Sequence, residues 1–378
     1  MRMKKSGILI GVTILTLFFS GCGISTVWEY FGDKRTKEAK LQRALAWYKD
    51  GTRYGTKDVN LYKKWARTGI KLQRWSETTN ALAKGFKNLP EHTDLLGVQI
   101  EFFYAQAKAA KSSAKAEGLA KEARDWIKKL EKKDSDHVPG LFFSGKIFTC
   151  LSDLALAVGK RRRAGTYAKQ AIKYLKKYVR NFKPDQEFPG SKEEGHIELA
   201  LLFKRAGDSK SAESNAKIAL KAKDKKIKAR ANALMGDIYL LQKKPEEAKK
   251  YFEAAVSIDR KQIEANLGLA YMLGINSGTQ KEALEKYKNI LNWEPGRLSS
   301  YIEAGKLLRR MKKFKDLNHL MKKALKINQH DQRVLLLYAE SLKALGNTDT
   351  AQTTLRAVIR LNSESAAGKR AQKFLDQF

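Results

Sequence analysis

The sequence predicts an all-α chain made of helical hairpins that repeat about every 34 residues. Three observations carry that prediction. Apolar residues recur at helical spacing in paired runs, as in Ala229–Leu241 and Pro245–Ile258. Small and large residues then return in the same order at a near-constant interval through the C-terminal half. Strand signals are nearly absent, with no sustained alternation and no Asn-Gly hairpin turn.

The clearest unit runs from Ala229 to Gln262. A polar break, Gln242-Lys243-Lys244, separates its two helices, and Pro245 suits the first turn of the second, where a missing N–H costs nothing. Glu246 and Glu247 follow at the positive end of that helix. With Ala229 as position one, Gly236 is eighth, Tyr239 eleventh, Ala248 twentieth, Phe252 twenty-fourth and Ala255 twenty-seventh. Gly236 and Ala248 are small enough for the helices to approach, Tyr239 and Phe252 fill the space around that contact, and Ala255 lets the next hairpin stack. This order resembles the tetratricopeptide repeat, with Asn232 and Arg260 at the places of the usual Trp and Pro. The resemblance implies a right-handed superhelical solenoid whose first helices line a groove for a protein or peptide partner.

The frame continues in both directions. Ile263 opens a unit with Ala270, Leu273, Ala283, Tyr287, Ile290 and Pro295, carrying one extra residue around Gly274–Gly278. Leu298 opens another, with Tyr301, Ala304, Gly305, Leu308, Leu317, Met321 and Ala324; Gln332 opens the next, with Leu335, Ala339, Leu342, Ala351, Leu355 and Val358. Glu193 opens a preceding unit through Ala200, Phe203, Ala212, Ala216 and Ala219. Ala366–Phe378 reads as the solvating end helix that a terminal repeat requires.

Before residue 190 the pattern is looser. Lys34–Lys49 reads as a leading helix, and Val59 opens a degenerate repeat with Tyr62, Trp65, Ala66, Trp75, Leu82 and Gly85. Leu95–Ala110 against Glu117–Leu130, and Leu141–Val158 against Ala164–Phe182, read as two longer hairpins. All six prolines fall between these helices or at a helix start. Lys183–Lys192, with two Pro and a Gly, is the best break between sub-domains. The expected organisation is a signal peptide over 1–21, a lipidated N-terminus, linker and leading helix over 22–58, divergent repeats over 59–190, and regular repeats with a capping helix over 191–378.

The first segment reads as an export signal: Arg2, Lys4 and Lys5, the apolar run Gly7–Phe19, then Ser20 and Gly21 before Cys22. Phe19-Ser20-Gly21-Cys22 resembles the bacterial lipobox, which implies lipid on Cys22 and a membrane-anchored lipoprotein; ordinary cleavage and an uncleaved anchor are the alternatives. Two or more acyl chains suffice for stable anchoring. Gly23, where Asp would favour retention in the inner membrane, points to the outer membrane. Cys150 then stands without a disulfide partner, in an apolar run that suits a buried core thiol.

No catalytic constellation is legible. The five His residues show no metal-ligand spacing with a carboxylate or Cys nearby, and no G-x-S-x-G elbow occurs. Gly140–Lys146 has phosphate-loop spacing, but Ile147 stands where Ser or Thr must hold magnesium and no strand precedes it. Gly145 reads instead as a helix-packing residue. The expectation is a non-enzyme without cofactor or metal.

The formal net charge is +35, from 75 Lys+Arg and 40 Asp+Glu. Lys160 to Arg230 holds 21 basic and 8 acidic residues. Lys160–Arg163 reads as a turn and Lys221–Arg230 as a bridge between repeats. Such a surface draws anionic lipid, polysaccharide or acidic protein; equally, Lys on helix exteriors keeps a solenoid soluble, and the sequence leaves both open. Nucleic acid is not expected, since no recognition motif is present. In the resemblance frame, positions two, five, nine, twelve and thirteen face the groove. The expected partner-binding residues are therefore Tyr271, Ile302, Lys306, Arg309, Arg310 and Lys343. They form a mixed apolar and basic surface for an acidic, partly apolar segment, although a solvated basic edge explains the same cations. Ala233, Leu267, Ile302 and Leu336 occupy the position where the family's carboxylate clamp carries its polar side chains, so chaperone C-termini are not expected ligands. The readings carried forward are a lipid-anchored binding scaffold, a subunit of an outer-membrane or secretin assembly, and a regulator of a peptidoglycan enzyme.

Overall fold

The structure, a computed structural model, describes residues 41–110, 113–157, 159–183 and 190–378. The signal segment, Cys22, the start of the leading helix and Pro184–Pro189 lie outside the described residues. The chain divides between Gly195 and His196 into two compact units. Among the described residues the regular structure is entirely helical.

The first unit contains α1 (Leu41–Gly51), α2 (Val59–Lys71), α3 (Trp75–Asn88), α4 (Thr93–Ala109), α5 (Ser113–Lys133), α6 (Val138–Ala157) and α7 (Arg161–Asn181). Helices α2 and α3, α4 and α5, and α6 and α7 pair as antiparallel hairpins, and α2, α4 and α6 stack in succession. Trp65, Tyr48 and Leu61 fill the core near the start. The long apolar helix α6 has the length and composition of a membrane span, but most of it is buried against neighbouring helices. Gly145 lies against Leu175, where a methyl group would meet the Leu side chain at 2.6 Å, so it is the helix-packing residue the sequence suggests. Cys150 is half-buried rather than sealed in the core. Burial, with Asp153 adding to it, pushes its thiol up to about 11, so it is a neutral thiol at physiological pH.

The second unit begins within α8 (Lys192–Arg205) and continues through α9 (Ser209–Ala219), α10 (Lys225–Leu241), α11 (Pro245–Ile258), α12 (Ile263–Ile275), α13 (Gln280–Trp293), α14 (Leu298–Arg310), α15 (Phe314–Ile327), α16 (Gln332–Ala344), α17 (Thr348–Leu361) and α18 (Ala366–Leu375). Each even-numbered helix from α10 onward meets the next even-numbered helix, and each hairpin is closed by its odd-numbered partner. Buried residues fall into clusters that bridge neighbouring hairpins rather than into one central core. Nearest-neighbour stacking of this kind defines a solenoid.

Local chemistry sets the helix boundaries. Asp58, Asp208, Asp224, Gln262, Asp331 and Ser365 each accept a backbone N–H at a helix start. Pro245 opens α11 with Glu246 and Glu247 behind it, as the sequence predicts. Two basic stretches differ from expectation. Lys225–Lys228 form the first turn of α10, because the Asp224 carboxylate captures the Ile227 N–H at 2.9 Å and starts the helix four residues before Ala229. Arg161–Arg163 form the first turn of α7, placed by the left-handed turn at Gly159 (φ +75°). The extra residue after α12 is absorbed as a short 3₁₀ turn, Ser277–Thr279, capped by Asn276.

Candidate groove on the first helices

The first helices of successive hairpins (α8, α10, α12, α14 and α16, then the end helix α18) carry two cavities in the second unit. Counting each unit from the openings assigned by sequence, residues at positions nine, twelve and thirteen line both.

The upstream cavity, about 720 Å³, lies over α10 and α12. Its wall is apolar: Leu241, Tyr271 and Ile275 are 61%, 46% and 59% exposed, and Leu240 and Pro245 adjoin them. Large aliphatic side chains with over half their surface in water are informative when they converge on one concavity. At its edge Lys204 Nζ donates to Asp237 Oδ2 at 2.5 Å, and Lys243 holds the connecting turn with φ +59°.

The downstream cavity, about 520 Å³, lies between α14, α16 and α18. Four cations, Arg309, Lys343, Arg370 and Lys373, surround one carboxylate, Glu340. Glu340 is 9% exposed. Arg309 Nη1 donates to both its oxygens at 3.2 and 3.1 Å, and Arg370 Nη2 approaches Oε1 at 2.8 Å. Lys343 Nζ lies 4.7 Å from the Phe374 ring centre and 4.0 Å from that of Phe378, and donates to the Gln377 carbonyl at 3.2 Å. A buried carboxylate needs such donors, and after Glu340 is satisfied the cavity retains a surplus of positive charge.

One structural rule recurs at the groove's ends. Lys204, at position twelve, pairs with Asp237, at position nine of the next unit; Arg309 and Glu340 repeat that pairing. Between them lie two rungs, the apolar Leu240 with Tyr271 and then Gly274 with the exposed Lys306. The first unit also ties successive first helices together by charge. Lys63 Nζ donates to Asp94 Oδ2 at 2.8 Å and Arg67 Nε to Glu101 Oε2 at 3.0 Å. His137 Nδ1 accepts the Gly140 N–H at 3.1 Å, which leaves its Nε2 to donate to Asp94 Oδ1 at 2.9 Å. The His137 hydrogen bond, reinforced by Lys63 and opposed by burial, holds the Asp94 carboxyl well below the usual range.

The expected site residues divide accordingly. Tyr271 lines the upstream cavity, and Arg309 and Lys343 the downstream one. Arg309 also has a structural task, gripping Glu340. Lys306 is exposed and bonded to Glu303 at 2.7 Å, while Arg310 is exposed with its guanidinium beside Gly274, where a methyl would meet Nη2 at 3.3 Å. Ile302 corrects the expectation: it is 2% exposed and packs with Tyr301, Leu317 and Val334. Position five of that helix faces inward because the next hairpin closes over it. Position thirteen, legible in the sequence, also holds Leu241 and Ile275, while Arg370 and Lys373 come from the end helix beyond the last full repeat. Among the described residues no group of three or more His, Cys, Asp and Glu side chains is placed to hold a metal.

Comparison with known proteins fits this geometry. Residues 229–262 match the tetratricopeptide repeat family, and so do residues 333–365. The chain carries tetratricopeptide repeats. No curated protein matches the sequence. Among solved structures, a human IFIT1 dimer with PPP-AAAA is similar at 12% identity, covering 96% of this chain and 83% of that one with a TM-score of 0.62. Pseudomonas aeruginosa PilF shares 19% identity over 62% of this chain and 99% of its own, TM-score 0.43. A thermophilic tetratricopeptide-repeat protein of Thermus thermophilus, TTC0263, shares 19% over 55% and 94%, TM-score 0.42. At these identities the likeness is one of fold. Tetratricopeptide repeats suggest a protein-interaction scaffold, and no catalytic family was matched.

Proposed function

We propose that this chain is a non-enzymatic protein-binding scaffold of the bacterial cell envelope, anchored by lipid on Cys22 and facing the periplasm from the outer membrane. The observation that carries the scaffold reading is the open face of α10 to α18. There, large apolar side chains and unbalanced cations converge in two cavities, while the contacts between hairpins are closed and buried. A partner segment laid across the first helices would cover Tyr271, Leu241 and Ile275 and meet the charges of the downstream cavity. The anchor reading rests on the basic start, the apolar run and Ser20-Gly21-Cys22.

A photo-crosslinking side chain at position 271 is expected to capture a specific envelope protein in intact cells, while the same group at exterior Lys250 captures none. Equal labelling from both positions would contradict a groove. A co-purifying large membrane complex would instead favour an assembly subunit. For the anchor, Cys22→Ala is expected to abolish incorporation of labelled fatty acid and leave precursor or a soluble exported protein. Continued labelling of that variant would refute lipidation at Cys22.

A further inference from the structure

The two cavities differ in chemistry and lie on successive, contacting first helices. Leu241, Tyr271 and Ile275 make the upstream cavity an apolar seat. Downstream, Arg370 and Lys373 join Arg309 and Lys343 around a single, already satisfied carboxylate. Arg310 lies at the junction, beside Gly274 of α12. Resting on the scaffold reading above, we infer that the second unit recognises one bipartite protein segment, with a block of apolar residues seated over α10 and α12 and a separate block of Asp or Glu seated between α14, α16 and α18.

The physical basis is complementarity at each end. An apolar block removes exposed Leu and Ile surface from water, a gain of roughly 25 cal/mol per Å² before ordering costs. An acidic block meets Arg370, whose side chain is half-exposed, and the exposed Lys373. It must do so without displacing Glu340, which is held from both sides. Complementarity fixes which block lies on which seat, because carboxylates on Leu241 and Ile275 would leave the downstream cations unpaired, so segregation of the two blocks is read as well as composition. Neighbouring packed helices lie about 8–10 Å apart, and two to three such steps separate the seats, roughly 16–30 Å. An extended chain covers about 3.3 Å per residue, so about five to nine residues span that distance and a ten-residue segment reaches both seats.

The test is selection of a randomised ten-residue display library against the full chain, read by sequencing. The expected result is enrichment of peptides with apolar and acidic residues segregated into two blocks. Against a chain carrying Lys373→Glu and Arg370→Gln, acidic enrichment is expected to fall at least tenfold while the apolar block persists. Against Leu241→Glu the apolar block is expected to be lost and the acidic block kept. No enrichment, enrichment of acidic residues without a separate apolar block, or equal loss on reversing exterior Lys249 and Lys250 would overturn the inference. Crosslinking from position 271 separates the two failures. If it still captures a specific protein, the scaffold reading stands and only the bipartite code falls; if both fail, so does the scaffold.

Discussion

Phe252 sits between two glycines from successive hairpins. A methyl on Gly236 would meet its ring carbons at 2.5 to 2.9 Å, and one on Gly268 would strike the ring from the other side. The ring is fully buried, so there is no room to yield. Gly236→Leu should cost at least ~1–3 kcal/mol, the range for overpacking, measured by denaturant unfolding. Gly118, with nothing within 4 Å of its missing Cβ, is the control; there Ala should stabilise α5 by ~0.5–1 kcal/mol through helix propensity. The close approach at Gly236 was legible from its place in the repeat. That Gly268 would share the same ring was not, because sequence spacing does not show how far an aromatic reaches across a helix. Asp94 makes a second residue-scale case. Its folded carboxyl lies below the ordinary range, so its contribution is complete above the unfolded value, ~3.9, and is lost as pH falls from there toward the folded value. Asp94→Asn should cost ~1–3 kcal/mol near neutral pH and flatten the acid side of the stability profile, as pH-dependent unfolding would report.

At the scale of elements, the hairpin turns after α8, α10, α14 and α16 share a left-handed residue, while the turn after α12 takes its 3₁₀ form instead. Gly207 and Gly346 hold it with φ +80° and +81°, whereas Lys243 and Lys312 hold it at +59° and +55°. A side chain in that region is strained relative to glycine. Lys312→Gly is expected to raise stability by ~0.5–1 kcal/mol, the difference between that strain and glycine's extra chain entropy; a lower midpoint in thermal unfolding would count against it. Helix existence was legible wherever apolar period and turn residues agreed, as in α2, α11 and α14, whose starts match expectation. Starts were misplaced where a side-chain cap outweighed the apolar pattern. Asp224 pulls α10 forward over Lys225, Lys226, Ile227 and Lys228, where Ile227 alone among three lysines is too little to show a helical period.

For the whole molecule, the two units differ in how openly they present their first helices. In the first unit, Lys63, Asp94, His137, Arg67 and Glu101 are spent on one another. In the second, pairing closes the rung at Lys204 with Asp237 and at Arg309 with Glu340, which Arg370 also grips, and leaves Tyr271 and Lys373 exposed. The sequence frame put Tyr271, Arg309 and Lys343 on the face that carries the two cavities, since periodicity assigns faces. It misjudged Ile302, because burial by the following hairpin depends on stacking distance. Arg370 and Lys373 lie beyond the last full repeat and had no position in the frame. The central claim is that partners bind on the first helices. Hydrogen exchange of the full chain, with and without the protein captured from position 271, measures this most directly. The expected result is slowed exchange in α10, α12, α14, α16 and α18, with α11, α13, α15 and α17 unchanged. Protection concentrated in that second set would contradict the account.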